Sequence, residues 1–177
     1  IQDKLIQKTW HNVGPAEVAS WRNSMQFMGN VLADPEIPND SQISIEYMIP
    51  LTSKRVDIII SGKGKENRDA VVIVELKQWS ESRRSEKDAI VWARRGGRAG
   101  EREGPHPSYQ AWSYAAYLQD FNAAVQDGAM TLQPCAYLHN HPRDGEIDQF
   151  DQPCLIVTSS GWLFAGLAYR LHSPSSY

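Results

Sequence analysis

Three charged residues interrupt the otherwise apolar runs of RVDIIISGKGKENRDAVVIVELKQW, the stretch from Arg55 to Trp79: Asp57, Glu75 and Lys77. Carboxylates and lysines are seldom buried unless paired or bound to metal, so their presence inside strand-like runs needs a chemical reason. Side chains alternate along a strand, which puts Glu75 and Lys77 on one face. If the two runs form a hairpin symmetric about Glu66, Asp57 falls directly opposite Glu75. Two acids and a lysine then meet at one end of the hairpin. Hard carboxylate oxygens with room for water suit Mg²⁺ or Mn²⁺. An ammonium beside them suits a reaction that builds negative charge.

The elements that must position these residues follow from spacing. Val56–Ile60 and Val71–Leu76 are predicted strands joined by a polar, glycine-bearing turn. Pro15 opens a predicted helix to about Leu32, with Val18, Trp21, Met25, Met28 and Leu32 spaced as one apolar stripe. A short helix is expected over residues 3–11, with Leu5 and Ile6 inward. Residues 34–40, DPEIPND, are a loop by composition. Ile43, Ile45, Tyr47 and Ile49 alternate and mark a strand ended by Pro50, with Glu46 on its other face. Residues 80–106 are polar and rich in Arg and Gly, and read as a mobile basic loop with at most a short strand at Ile90–Ala93. Pro107 opens a helix reaching about Val125, on which Gln110 and Tyr114 share a face. Pro134–His139 and Leu155–Thr158 read as strands, and Trp162–Leu171 as a closing helix. No repeat or second domain is visible, so residues 1–177 read as a single domain with its core over about 15–160.

Asp57, followed by Glu75-Leu76-Lys77 at the end of an apolar strand, resembles the D…(D/E)-x-K signature of the PD-(D/E)XK, or restriction-endonuclease-like, nucleases. Gln110-Ala-Trp-Ser-Tyr114 is similar to the Q-x-x-x-Y motif of the RecB-like branch. The wording EYMIPLTSKRVDIIISG, VVIVELKQW and HPSYQAWSY also resembles bacterial proteins in which such a domain precedes a P-loop helicase domain. The resemblance covers residues 15–140 or so. It implies an α/β fold with an αβββαβ core, its mixed central sheet flanked by helices. It further implies metal-dependent hydrolysis of phosphodiester bonds in DNA, with a helicase domain or subunit as a partner outside this chain. Asp57 and Glu75 would hold Mg²⁺ or Mn²⁺, with the Leu76 carbonyl as a further ligand. Lys77 would orient water or stabilise the charged transition state, and Gln110 and Tyr114 would position the strand being cut. Family members often add an acid from the first helix, which makes Glu17 a candidate ligand. Glu46 competes for that role, and a first-turn Glu is also favoured by the helix dipole alone.

Net charge is −3, which argues against a simple basic nucleic-acid binder. Its distribution matters more. Residues 54–102 hold 13 of the 18 Lys and Arg but only 8 of the 21 acids. A basic middle around the acid pair is what a phosphate backbone needs, although solvated loops produce the same pattern. No apolar run reaches the length of a membrane span, and the first residues lack the design of a signal peptide. Ile1 rather than Met opens the chain, as expected of either a trimmed sequence or a fragment. Cys135 and Cys154 lie in apolar surroundings without a CxxC pair, so buried thiols and a cytoplasmic setting are expected. No G-x-x-x-x-G-K-[ST] occurs, which excludes a P-loop within these residues. His139-Asn140-His141 reads as surface loop rather than as a metal site, because Pro142, Asp144 and Gly145 announce a turn. Two rival functions remain: a nuclease-like module that only binds nucleic acid, and an interaction domain whose triad is a buried salt bridge.

Overall fold

The apolar spacing after Pro15 produces the helix it predicts. In the computed structural model, which describes residues 15–35, 37–64, 67–95, 100–142, 147 and 155–158, α1 spans Pro15–Leu32. The strands β1 (Gln42–Met48), β2 (Arg55–Lys63) and β3 (Asp69–Lys77) follow as an antiparallel meander. Next come β4 (Trp79–Arg84), β5 (Ile90–Arg95) and β6 (Glu101–Pro105), then helix α2 (Pro107–Phe121) and the single turn α3 (Ala123–Gln126). Strands β7 (Met130–Leu138) and β8 (Leu155–Thr158) close the described order. The helix expected over 3–11, the one over Trp162–Leu171, and Cys154 lie outside the described residues.

The main sheet has the order β1-β2-β3-β7-β8, with β7 running parallel to β3 and β8 parallel to β7. A parallel neighbour demands a crossover, and residues 78–129 supply it through α2. Strands β2 and β3 are apolar on both faces because both faces are covered. Ile58, Ile60, Val72 and Val74 pack with Met28 and Val31 of α1. Ile59 and Ile73 pack with Tyr114 and Ala115 of α2 on the other side. The fold is therefore mixed α/β, with helices on both faces of a mixed sheet. Strand β1 forms one edge, and its alternating Ile43 and Ile45 are 45% and 43% exposed rather than buried.

The stretch expected to be a mobile loop over 80–106 is instead a three-stranded antiparallel sheet, β4-β5-β6. One face carries Trp92 stacked by Arg83, with Arg83–Glu101, Arg94–Glu81 and Lys87–Glu103 ion pairs. The other face buries Val91 and Ala93 against Leu138 and Ile147. Paired charges outside and small apolar groups inside give the half-buried alternation of a strand, which the Arg-rich composition conceals.

A second correction concerns the histidines after β7. His139 and His141 are only 1% and 0% exposed, not surface loop residues. His139 Nε2 lies 3.0 Å from the Ser24 hydroxyl of α1, its Nδ1 3.2 Å from Asn140 Oδ1, and its ring stacks on Phe27. His141 Nε2 lies 2.9 Å from Ser82 Oγ of β4. Each ring meets a partner far away in sequence through Nε2 and the adjacent residue through Nδ1, and the two face different neighbours. Burial holds the His139 pKa below its usual value. Cys135 is a buried thiol, as expected. Among the described residues no helix is long and apolar enough to cross a membrane.

Candidate functional site

The register of the β2–β3 hairpin decides where the acids fall. Pairs from Ile58↔Val74 to Lys63↔Asp69 are symmetric about residue 66. Continuing that register by one pair sets Asp57 opposite Glu75, on the face that also carries Ile59 and Ile73. At this point the ladder gives way to the side chain: Asp57 Oδ2 accepts the Leu76 N–H at 2.7 Å. Strand β3 then continues to Lys77, which shares the Glu75 face.

Glu75 is the centre of the cluster. Its neighbour on β7 is Ala136, which is fully buried, and Glu75 itself is only 3% exposed. Oε1 accepts from Lys77 Nζ at 2.5 Å and from Gln110 Nε2 at 2.7 Å. Oε2 is buried without a hydrogen-bond partner. Burial first, and the Asp57 charge second, push the Glu75 carboxyl up to about 8 despite the opposing pull of Lys77. Asp57 is also raised, mainly by burial; the Leu76 N–H and the Lys77 and Arg55 charges hold it down in part.

Helix α2 delivers the remaining groups. Pro107 occupies its first turn, where a missing N–H costs nothing, and His106 caps it: Nδ1 accepts the Ser108 N–H at 3.2 Å. His106 Nε2 then donates to the Ile147 carbonyl at 3.1 Å, which fixes a neutral ring, and burial lowers its pKa. The helix stops at Asn122, earlier than the predicted Val125, because Asn122 turns to cap α3. One turn inside α2, Gln110 Nε2 bridges Glu75 and the Tyr114 hydroxyl, each at 2.7 Å. Burial and the Glu75 charge push the Tyr114 phenol up to about 12, so it stays protonated and able to donate.

Asp57, Glu75, Lys77, Gln110 and Tyr114 are thus brought to one end of the central sheet. Glu17 lies in α1, but its side chain is outside the described residues. Glu46, its competitor, does approach. Flanking pairs Ile45↔Ile58 and Tyr47↔Val56 place it across from Asp57 on the neighbouring strand. Its backbone has φ 53, and its side chain makes a 3.1 Å ion pair with Arg55. Its charge reaches both Glu75 and Tyr114. Arg55 is the participant that sequence reasoning passed over. The available signal was its position two residues before Asp57, on the same face of the same strand.

Among the described residues, no three His, Cys, Asp or Glu side chains are gathered as a metal cage. Mg²⁺ does not require one, since it keeps several waters and is commonly bound through one or two carboxylates plus substrate oxygens. Asp57 and Glu75 fit that demand. The orphaned Glu75 Oε2, buried beside a second carboxylate, is an acceptor that calls for a cation or a proton. No family model, curated protein or solved structure matches the chain.

Proposed function

We propose that this protein is a metal-dependent nuclease that hydrolyses phosphodiester bonds in DNA, built on a restriction-endonuclease-like core of the RecB-like branch. The observation that carries the reading is Glu75: a carboxylate fixed at the centre of the fold, with one oxygen unpartnered and a second acid beside it. Such a group destabilises the protein unless a ligand uses it. Asp57 and Glu75 would hold Mg²⁺ or Mn²⁺, with the Leu76 carbonyl as a third donor. The ion would supply an activated water and neutralise charge on the phosphate. Lys77, fixed by Glu75, presents an ammonium where negative charge develops on the phosphoryl oxygens. Gln110 holds Glu75 and Tyr114 in register, and the neutral Tyr114 hydroxyl offers a proton to a phosphate oxygen.

The Lys77–Glu75 contact favours one rival, a salt bridge kept for stability alone. In that reading Lys77 alone must offset both the burial of Glu75 and the Asp57 charge, and the carboxyl is displaced upward all the same. The pair is therefore insufficient for its own acid. A helicase domain or subunit outside this chain is the partner that this reading implies. The test is incubation with labelled single-stranded, duplex and branched DNA in Mg²⁺, Mn²⁺ or EDTA. Cleavage of at least one substrate, dependent on metal and lost in Asp57→Ala, supports the reading. Binding without cleavage under every condition would leave a targeting module as the better account.

A further inference from the structure

The turn that joins β1 to β2 presents a leucine to solvent at a conformational cost. Leu51 is 92% exposed and holds a left-handed φ of 62, which a residue with a Cβ rarely adopts. The turn around it is locked. The Ile49 N–H donates to the Lys54 carbonyl at 3.0 Å, the Thr52 hydroxyl to the Ile49 carbonyl at 3.0 Å, and the Lys54 N–H to Thr52 Oγ1 at 3.1 Å. Its root, Ile49, is buried in the same cluster as Tyr114 and Ala115 of α2. Because β2 begins where β3 ends, this turn stands at the end of the sheet that carries Asp57 and Glu75. From it Lys54 reaches across to α2, with Nζ 5.1 Å from the centre of the Tyr117 ring. Gln110, Tyr114, Tyr117 and Phe121 share one stripe of α2, spaced by four, three and four residues. The stripe thus leads from the acid pair, past Lys54, to Phe121, which is 64% exposed.

We propose that this turn and the α2 stripe form a track for a single-stranded stretch of nucleic acid. Lys54 meets a backbone phosphate, Leu51 and Phe121 meet unpaired bases, and Tyr117 is the positioning residue that holds Lys54. The inference rests on the nuclease reading and names its substrate class. Among the described residues Lys54 makes no ion pair, so its charge is open to an anion. An apolar protein surface laid over Leu51 and Phe121 would desolvate the Lys54 ammonium without giving it a partner, which is costly. An unpaired nucleotide supplies both a flat base face and a phosphate. In a duplex the base faces are stacked on one another, and the phosphates alone remain to be met.

Binding is followed by anisotropy in EDTA across a salt series, with three labelled probes of equal length: oligodeoxythymidine, its abasic counterpart and a blunt duplex. Cleavage of the first and the last is measured in Mg²⁺. The wild type should bind and cut the single strand in preference to the duplex, and should hold the abasic probe more weakly. Phe121→Ala should weaken oligodeoxythymidine binding by roughly 5–150-fold, the value of one stacked base, and leave the abasic probe unaffected. Leu51→Gly should weaken it with the same selectivity while unfolding at no lower temperature, because glycine relieves the left-handed φ. Lys54→Gln should lower the slope of log K against log salt by ~0.7, the value of one single-strand phosphate contact. Tyr117→Ala should lower the slope likewise, whereas Tyr117→Phe keeps a ring beneath the ammonium and should retain the wild-type slope. A Tyr117 that served packing alone would leave the slope unmoved in both. Equal affinity of the wild type and all variants for oligodeoxythymidine would overturn the inference and leave metal-dependent cleavage standing, as would a wild-type preference for the duplex. A wild-type protein that neither binds nor cuts any probe would remove the nuclease reading with it.

Discussion

Replacing Glu75 by glutamine removes one charge from the most buried position of the site and keeps its shape. In the wild-type protein without metal, Glu75 titrates near 8 rather than at 4.5. Between those values the folded chain holds a proton that the unfolded chain has released. Stability must then fall as pH rises across that window, fully present below 4.5 and lost on passing 8. Each pKa unit is worth about 1.4 kcal/mol, so the whole interval amounts to roughly 4–5 kcal/mol as a ceiling. A typical domain has only ~5–15 kcal/mol to lose. Glu75→Gln should be insensitive to this contribution and should keep its acceptor oxygen for Lys77 and Gln110. Urea unfolding in EDTA at pH 5, 6, 7, 8 and 9 reads the difference directly. The two proteins should be nearly equal at pH 5, with the variant ahead by several kcal/mol at pH 9. Buried neutral histidines such as His106 and His139 act in the opposite sense and at lower pH, and they cancel in the comparison. Adding Mg²⁺ at pH 8 should restore the wild type and leave the variant unmoved. Parallel stability curves for the two proteins would refute the reasoning, because Glu75 would then be ionised and content at every pH.

Three further outcomes follow from the same geometry. Lys77→Ala should reduce cleavage by ~10²–10³ with folding unimpaired at neutral pH, measured as single-turnover rate beside thermal unfolding. Gln110→Ala and Tyr114→Phe should each slow cleavage at saturating metal, with Tyr114→Phe retaining wild-type stability to within about 1–2 kcal/mol because its ring stays packed. His106→Ala should cost ~1–2 kcal/mol in chemical denaturation through the lost cap, and should also weaken cleavage, since that cap starts the helix bearing Gln110 and Tyr114.

Much of the frame was legible because local pattern and tertiary fold agree there. The apolar stripe and Pro15 set the limits of α1, and the symmetry of the β2–β3 hairpin set the opposition of Asp57 and Glu75. What stayed hidden depends on partners distant in sequence. The burial of His139 needs Ser24, 115 residues away, and that of His141 needs Ser82, 59 residues away. The β4-β5-β6 sheet was masked by its charges, which pair across strands rather than facing solvent alone. The left-handed backbone of Glu46 leaves no mark in the local sequence, because a glutamate inside an alternating run reads as ordinary strand. Arg55, its ion-pair partner, was therefore overlooked, although Glu46 itself was weighed as an accessory acid.

The central claim is that Asp57 and Glu75 bind a divalent cation and that Lys77 does not. Calorimetric titration of Mn²⁺ into the wild type, Glu75→Ala and Lys77→Ala tests it most directly. Binding should be clear in the wild type and should release protons near pH 7, because Glu75 must give up its own to accept the ion. It should be unchanged or tighter in Lys77→Ala, where the competing ammonium is gone, and lost or severely weakened in Glu75→Ala. Equal binding in all three proteins would contradict the account and leave the triad as a buried salt bridge.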